Sequence, residues 1–142
     1  MSDLSTMLPP LPTDGSEADR RHEDLVRGRF ERYLDSFPTF GTYLGIHSQD
    51  GRLADLSRDG VLRELAAERR FLSDVEALDA TDMSPVGSFE RDLSLLSARR
   101  SIFDADTHRL WERRASATDE VAMGCSCSSP ESSRLSPSGW SP

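Results

Sequence analysis

The sequence contains no lysine, so all 17 of its basic residues are arginine, and it has only three histidines. A zinc-binding HExxH motif needs two histidines four residues apart on one helix face, with the glutamate as general base. His22, His47 and His108 do not have this spacing, and Val26 stands where a second histidine would follow His22-Glu23. No Gly-x-Ser-x-Gly nucleophile motif is present either, and we predict no catalytic residue, no metal ligand and no cofactor in this chain.

Basic charge and long apolar runs are also scarce. The chain has 25 acidic residues and a formal net charge of −8. Nucleic acids and anionic membranes both require a basic surface, so neither is an expected partner. No apolar run approaches the length that crosses a bilayer, and no basic start leads into an apolar run. We expect a cytoplasmic protein without membrane or nucleic-acid partners.

The 142 residues divide into three parts by composition. Residues 1–15 have little periodicity and several prolines, which is typical of a flexible leader. Residues 16–121 hold the helical patterns. Residues 122–142 are rich in serine and proline and are expected to be disordered. The two cysteines, Cys125 and Cys127, lie in this tail and supply at most two metal ligands, too few for a structural zinc site.

Apolar residues recur three and four positions apart along the central part, and no alternating strand pattern competes. The sequence therefore predicts an all-α fold. Ser16, Ser57 and Ser84 each precede a helical pattern, as N-cap residues do. Pro38 ends the first pattern, because the residue before a proline is pushed out of the helical region. The predicted elements are three long amphipathic helices at about 17–36, 58–78 and 85–112, with a short helix or turn near 39–44.

The segment 37–57, between the first two long helices, carries the strongest turn signals and the candidate site residues. A polar cluster here would lie at the edge of a cleft. The alternative is that these groups satisfy the backbone of a turn and cap the next helix, which is the usual use of polar loop residues. The candidates are Tyr43, Gly45, His47, Asp50, Arg52 and Asp55.

The same segment resembles the N-terminal signature of a large microbial family, the domain-of-unknown-function family eight-eight-five. The resemblance rests on Phe-Pro-Thr-Phe-Gly-Thr-Tyr-Leu-Gly-Ile-His at 37–47, Asp-Gly-Arg-Leu-Ala-Asp-Leu-Ser at 50–57 and Leu-Trp-Glu-Arg at 110–113. Members are several times longer, mostly helical, and carry an HExxH zinc motif far downstream. The resemblance implies a zinc metallopeptidase-like parent, although none of its catalytic residues maps onto this chain.

The abrupt change of composition near Val121 suggests a shift of reading frame. Codons compatible with residues 121–141 can be chosen so that another frame encodes an apolar stretch followed by an amphipathic helix pattern. We therefore expect a truncated, catalytically incomplete N-terminal fragment whose helices brace the parent's cleft. The alternative is a small helical protein–protein interaction module, which self-associates through exposed apolar helix faces.

Overall fold

The computed structural model describes residues 15–46, 48 and 50–113, and this part of the chain is helical without strands. The predicted all-α fold is confirmed. A 3₁₀ turn at Ala80–Asp82 precedes the fourth helix, and a π-helical turn at Asp104–His108 follows it. The α-helices are α1 (Glu17–Ser36), α2 (Pro38–Tyr43), α3 (Arg58–Glu76), α4 (Pro85–Phe103) and α5 (Leu110–Arg113).

Serine side chains begin the three long helices, as predicted. The hydroxyl oxygens of Ser16, Ser57 and Ser84 each accept a hydrogen bond from the backbone N–H three residues later, at 3.0–3.1 Å. Each serine thereby satisfies one of the N–H groups that have no partner inside the first helical turn. The starts of α1, α3 and α4 therefore follow from the local sequence.

The predicted end of the third long helix at residue 112 is wrong, because α4 ends at Phe103. The chain continues into the π-helical turn, which the backbone N–H of Arg109 closes by donating to the carbonyl of Asp104 at 3.1 Å. Arg109 itself is left-handed, with φ 48° and ψ 44°, so the chain changes direction before α5. The Trp111 indole N–H donates to the Ala105 carbonyl at 2.9 Å and holds α5 against the turn.

The second long helix also ends earlier than predicted, at Glu76 instead of residue 78. Leu78 is nevertheless buried. Its backbone N–H donates to the carbonyl of Val75 at 3.2 Å, a three-residue bond typical of a tightened last turn. The chain then reaches α4 through the 3₁₀ turn.

The core lies between α3 and α4, and α1 packs across both. Val75 of α3 and Ala98 of α4 have no exposed surface. Phe71 and Leu95 complete the buried cluster, with Leu25 of α1 and Leu72 packed against it. The small side chain at position 98 lets the two helices approach closely, so the core is formed mainly by this pair.

Phe89, Leu93, Leu96 and Phe103, whose spacing of three, four and seven residues predicts the apolar side of this helix, face away from the core. A second face of α4, containing Gly87, Leu95 and Ala98, is the buried one. The side chains on the opposite face, at intervals of three and four residues, form a surface that we name the outward row of α4. Its members are Val86, Phe89, Leu93, Leu96, Arg100 and Phe103.

Some of the predictions concern residues that the structure does not describe. The predicted disordered tail at 122–142, the predicted leader apart from Gly15, and the frame change near Val121 lie outside the described residues. His47 also lies outside them.

Candidate functional site

Of the candidate site residues, Tyr43 and Gly45 lie at the end of α2. Tyr43 is 71% exposed, although its ring stacks with that of Phe40 at 6.3 Å between centroids. Gly45 has φ 81°, a left-handed conformation that suits glycine, and it directly follows Leu44, the C-cap of α2. These two residues therefore belong to the C-terminal end of α2 and to the turn that follows it.

The polar candidates that the structure describes, Asp50, Arg52 and Asp55, each contact a different helix. The Asp50 carboxylate accepts a hydrogen bond from the Thr42 hydroxyl of α2 at 2.8 Å. The Arg52 guanidinium donates to Asp35 of α1 at 2.9 Å. Each contact therefore holds the segment 50–57 against a helix that precedes it.

Asp55 acts at the start of α3. Its carboxylate accepts a hydrogen bond from the Ser57 backbone N–H at 3.1 Å and forms an ion pair with Arg63 of α3. Hydrogen bonds from Ser57 and Arg63 hold the pKa of Asp55 below its ordinary value. In the structure Asp55 therefore stabilises the first turn of α3.

The described residues contain no group of three or more His, Cys, Asp or Glu side chains that could hold a metal ion. An open groove of about 340 Å³ lies between α1 and α3. Both signs of charge line it, so its walls do not select a ligand of one charge. The lining residues are Asp24, Leu25, Gly28, Arg29, Arg32, Ala67, Arg70, Phe71 and Asp74.

Asp19 is a buried carboxylate whose long-range role the sequence did not reveal. It forms a capping box with Ser16, since its carboxylate accepts a hydrogen bond from the Ser16 N–H at 2.9 Å. It also accepts the backbone N–H of Ser84, with both oxygens at 3.2 Å. Burial raises the pKa of Asp19, but the hydrogen bonds from Ser16 and Ser84 outweigh it and lower the pKa overall. One carboxylate thus joins the starts of α1 and α4.

His22, one helical turn further along α1, is 3% exposed, and its Nε2 lies 3.0 Å from the Ser94 hydroxyl of α4. Burial lowers the pKa of this imidazole, against the opposing charges of Glu90 and Asp19. The ring is therefore a neutral structural side chain between two helices. It does not belong to a metal-binding cluster in the described part of the chain.

Arg29 connects all three long helices. Its guanidinium makes two hydrogen bonds to the Glu68 carboxylate of α3, through Nε and Nη2. The same group lies 3.2 Å from the Ser97 hydroxyl of α4 and 4.7 Å from the centroid of the Phe71 ring. Two parallel hydrogen bonds and a cation–π contact are an arrangement that lysine does not reproduce. Arg29 therefore has a structural role.

Unlike these internally satisfied groups, the outward row of α4 presents five apolar side chains to solvent, with Arg100 as its one charged member. Its apolar members are between 49% and 67% exposed. Single exposed apolar residues are ordinary, whereas a contiguous row is typical of a binding surface. Of the features in the described residues, this one points most directly to function.

No family model matches the chain, and the searches of curated proteins and of solved structures return no significant match. The described residues include no helix long and apolar enough to cross a membrane. The cytoplasmic location and the lack of nucleic-acid partners remain predictions from composition.

Proposed function

We propose that this chain is a non-catalytic helical module that binds another helix through the outward row of α4. The observation that carries the proposal is the exposure of this row. Phe89, Leu93 and Leu96 are 64%, 49% and 66% exposed, although all three belong to a well-formed helix. Burial of such side chains against a partner removes apolar surface from water and favours association.

The contacts within the rest of the described helical unit support a role for it as the scaffold that holds this surface. The three long helices are joined by the Asp19, His22 and Arg29 contacts, and each of these polar groups has its partners within the fold. The sequence adds that no two histidines have the spacing of the HExxH motif. The proposal therefore assigns binding to the α4 surface and assigns no chemical step to the chain.

Sedimentation velocity over a concentration series tests the proposal with a matched pair of variants. Leu96→Glu places a charge in the outward row, whereas Leu62→Glu places the same charge at a leucine of α3 that is 43% exposed. We expect the parent chain and Leu62→Glu to associate and Leu96→Glu to remain monomeric. Circular dichroism checks that the three proteins are equally helical. Equal association of all three proteins would contradict the proposal.

A second candidate function follows from the resemblance at residues 37–57 and 110–113. In that case the chain is the N-terminal part of a larger metallopeptidase-like protein, truncated by a frameshift near Val121, and later helices of the parent cover the outward row. The three long helices would then brace one wall of the parent's cleft, and zinc would belong to the parent.

The DNA downstream of the Val121 codon tests this second candidate. A shifted frame that encodes further amphipathic helices and an HExxH motif supports it, and a frame without helical coding potential opposes it. The purified chain provides an independent test. Aggregation with poorly cooperative unfolding favours the fragment, whereas a defined small oligomer favours the module.

A further inference from the structure

The outward row of α4 has the spacing of a seam between two helices. Its six positions are separated by three, four, three, four and three residues. This is the spacing of the a and d positions of a heptad, the positions that face a partner helix. Between the first and last positions the row is about 26 Å long, at 1.5 Å per residue. A single helix of similar length therefore fits along it.

The spacing of the outward row is the same from either end of the helix. A second copy of α4 that runs in the opposite direction can therefore align with it position by position. In an antiparallel pair centred between residues 94 and 95, Leu93 lies opposite Leu96 of the second copy. Val86 lies opposite Phe103, and Phe89 lies opposite Arg100. Because a two-fold axis relates the two copies, each of these three pairs of opposed residues occurs twice in the interface.

Arg100 is the only charged member of the row, and this arrangement gives it a partner. Its side chain is 83% exposed in the single chain, with its Nε 3.8 Å from Asp104. Opposite the exposed ring of Phe89 in the second copy, the guanidinium can form a cation–π contact. A polar residue at one seam position also penalises other registers, since it would then face an aliphatic side chain.

The charges beside the row separate along α4 and select the antiparallel direction. Glu90 and Asp92 lie in the N-terminal half, and Arg99 lies in the C-terminal half. A parallel, in-register pair would place Arg100 opposite Arg100 of the second copy, so that like charges would meet within the seam. In the antiparallel pair, Asp92 of each copy lies beside Arg99 of the other, and the two-fold axis produces this contact twice.

Both of these residues are accessible in the described structure. The side chains of Asp92 and Arg99 are 71% and 59% exposed. Asp92 lies 3.4 Å from Arg91, and Arg99 donates to Glu76 at 2.9 Å through one terminal nitrogen. A guanidinium has five N–H donors, so the Glu76 contact is compatible with a second carboxylate from another copy.

We propose that the outward row of α4 binds the same row of a second copy, as an antiparallel helix pair with reciprocal Asp92–Arg99 ion pairs. This inference rests on the proposed function, because it names the occupant of the same surface. One helix per copy makes a small interface, so the dimer is weak and reversible.

Charge reversal across the seam tests the inference, with sedimentation velocity of the 142-residue chain as the measurement. Asp92→Arg places two arginines side by side at each contact, and Arg99→Asp places two aspartates there. We expect each variant alone to dimerise at least about tenfold more weakly than the parent chain, since like charges then face each other twice. An equimolar mixture restores opposite charges at both contacts and should dimerise as the parent does.

Arg58→Asp, an equal charge reversal at the exposed start of α3, is the matched control and should leave dimerisation unchanged. Circular dichroism confirms helicity. If a reversal variant unfolds, the neutral variants Asp92→Asn and Arg99→Gln replace it, each with the expectation of weaker dimerisation than the parent.

A mixture of the two reversal variants that dimerises no better than either alone overturns the inference. A parent chain that stays monomeric, or that forms larger assemblies only, also overturns it. If Leu96→Glu abolishes association while the charge variants have no effect, the row is a binding surface in another arrangement, and only this inference fails. If Leu96→Glu also has no effect, the proposed function fails with it.

Discussion

Asp19 accepts a hydrogen bond from the backbone N–H of Ser84, 65 residues later in the sequence, with each carboxylate oxygen 3.2 Å from that nitrogen. The same carboxylate caps its own helix through Ser16. Two helix starts therefore share one negative charge, which suits the positive end of each helix dipole. This contact explains why α1 and α4 begin side by side.

Because Gly87 has no side chain, the Asp19 carboxylate can lie close to the backbone of α4 at this position. A Cβ atom at position 87 would lie 1.9 Å from Asp19 Oδ1. We expect Gly87→Ala to displace the carboxylate and lower the free energy of unfolding by about 1–3 kcal/mol, as overpacking does. Gly28→Ala is the control, because nothing lies within 4 Å of its Cβ position in mid-helix. It should stabilise the protein by about 0.5–1 kcal/mol. Urea denaturation measures both, and equal effects would contradict the close approach.

The Asp19 contact should also make stability depend on pH in the acid range. The pKa of Asp19 in the folded chain is below its ordinary value of 3.8. Its contribution is therefore complete above pH 3.8 and is lost as the pH falls through the lower, folded-state pKa. We expect Asp19→Asn to lower the thermal midpoint at neutral pH and to differ less from the parent at about pH 2, below the ordinary pKa. A constant difference across this range would contradict a role for the charge.

His22 should produce a second pH dependence, at higher pH. Burial lowers its pKa in the folded chain from the ordinary 6.5, so the unfolded chain takes up a proton first as the pH falls. Stability is therefore complete above pH 6.5 and declines as the pH falls from 6.5 through the folded-state pKa. We expect His22→Gln to flatten this slope in urea denaturation between about pH 7.5 and 5. An NMR titration of the imidazole checks the pKa directly, and a value above 6.5 would oppose the prediction.

The Arg29–Glu68 pair should be energetically coupled. Both side chains are mostly buried, at 24% and 15% exposed. Removal of one partner leaves the other charge in a poorly solvated place, so Arg29→Met and Glu68→Gln should each destabilise by about 1–3 kcal/mol. The double variant should lose less than the sum, with a coupling of about 0.5–3 kcal/mol. Arg20→Ala, at an exposed pair with Glu17, should cost no more than about 1 kcal/mol. Strict additivity at the first pair would refute the coupling.

Adjacent leucines of α4 should respond very differently to truncation. Leu95 is 8% exposed in the core, and Leu96 is 66% exposed on the outward row. We expect Leu95→Ala to cost about 2–5 kcal/mol and Leu96→Ala to remain within about 0.5 kcal/mol. Urea denaturation should be performed at concentrations where the parent chain is monomeric. A reversed order would mean that the wrong face of α4 has been assigned to the core.

The starts of the helices could be predicted because their causes are local. Ser16, Ser57 and Ser84 each bond a backbone N–H only three residues away, and Pro38 limits the residue before it. The left-handed Gly45 after α2 follows from the same kind of signal. The end of α4 at Phe103 could not be predicted, because the apolar spacing continues through residue 110 whereas the backbone changes to a π-helical turn at Asp104–His108. For Asp50 and Asp55, the sequence suggested both a cleft and turn roles, and the structure shows contacts within the loop and to nearby helices.

What the sequence by itself determined is the all-α class and the places where the helices begin, because helix periodicity and capping act over a few residues. Only the tertiary structure decided which face of α4 is buried. That helix carries apolar side chains on two sides, so hydrophobicity alone did not rank them. The small residues Gly87 and Ala98 let one side approach its neighbours, and the larger Phe89 and Leu96 remain outside. The Asp19–Ser84 and Arg29–Glu68 contacts were likewise decided by packing, since each joins residues that lie far apart in the sequence and meet only when the helices do.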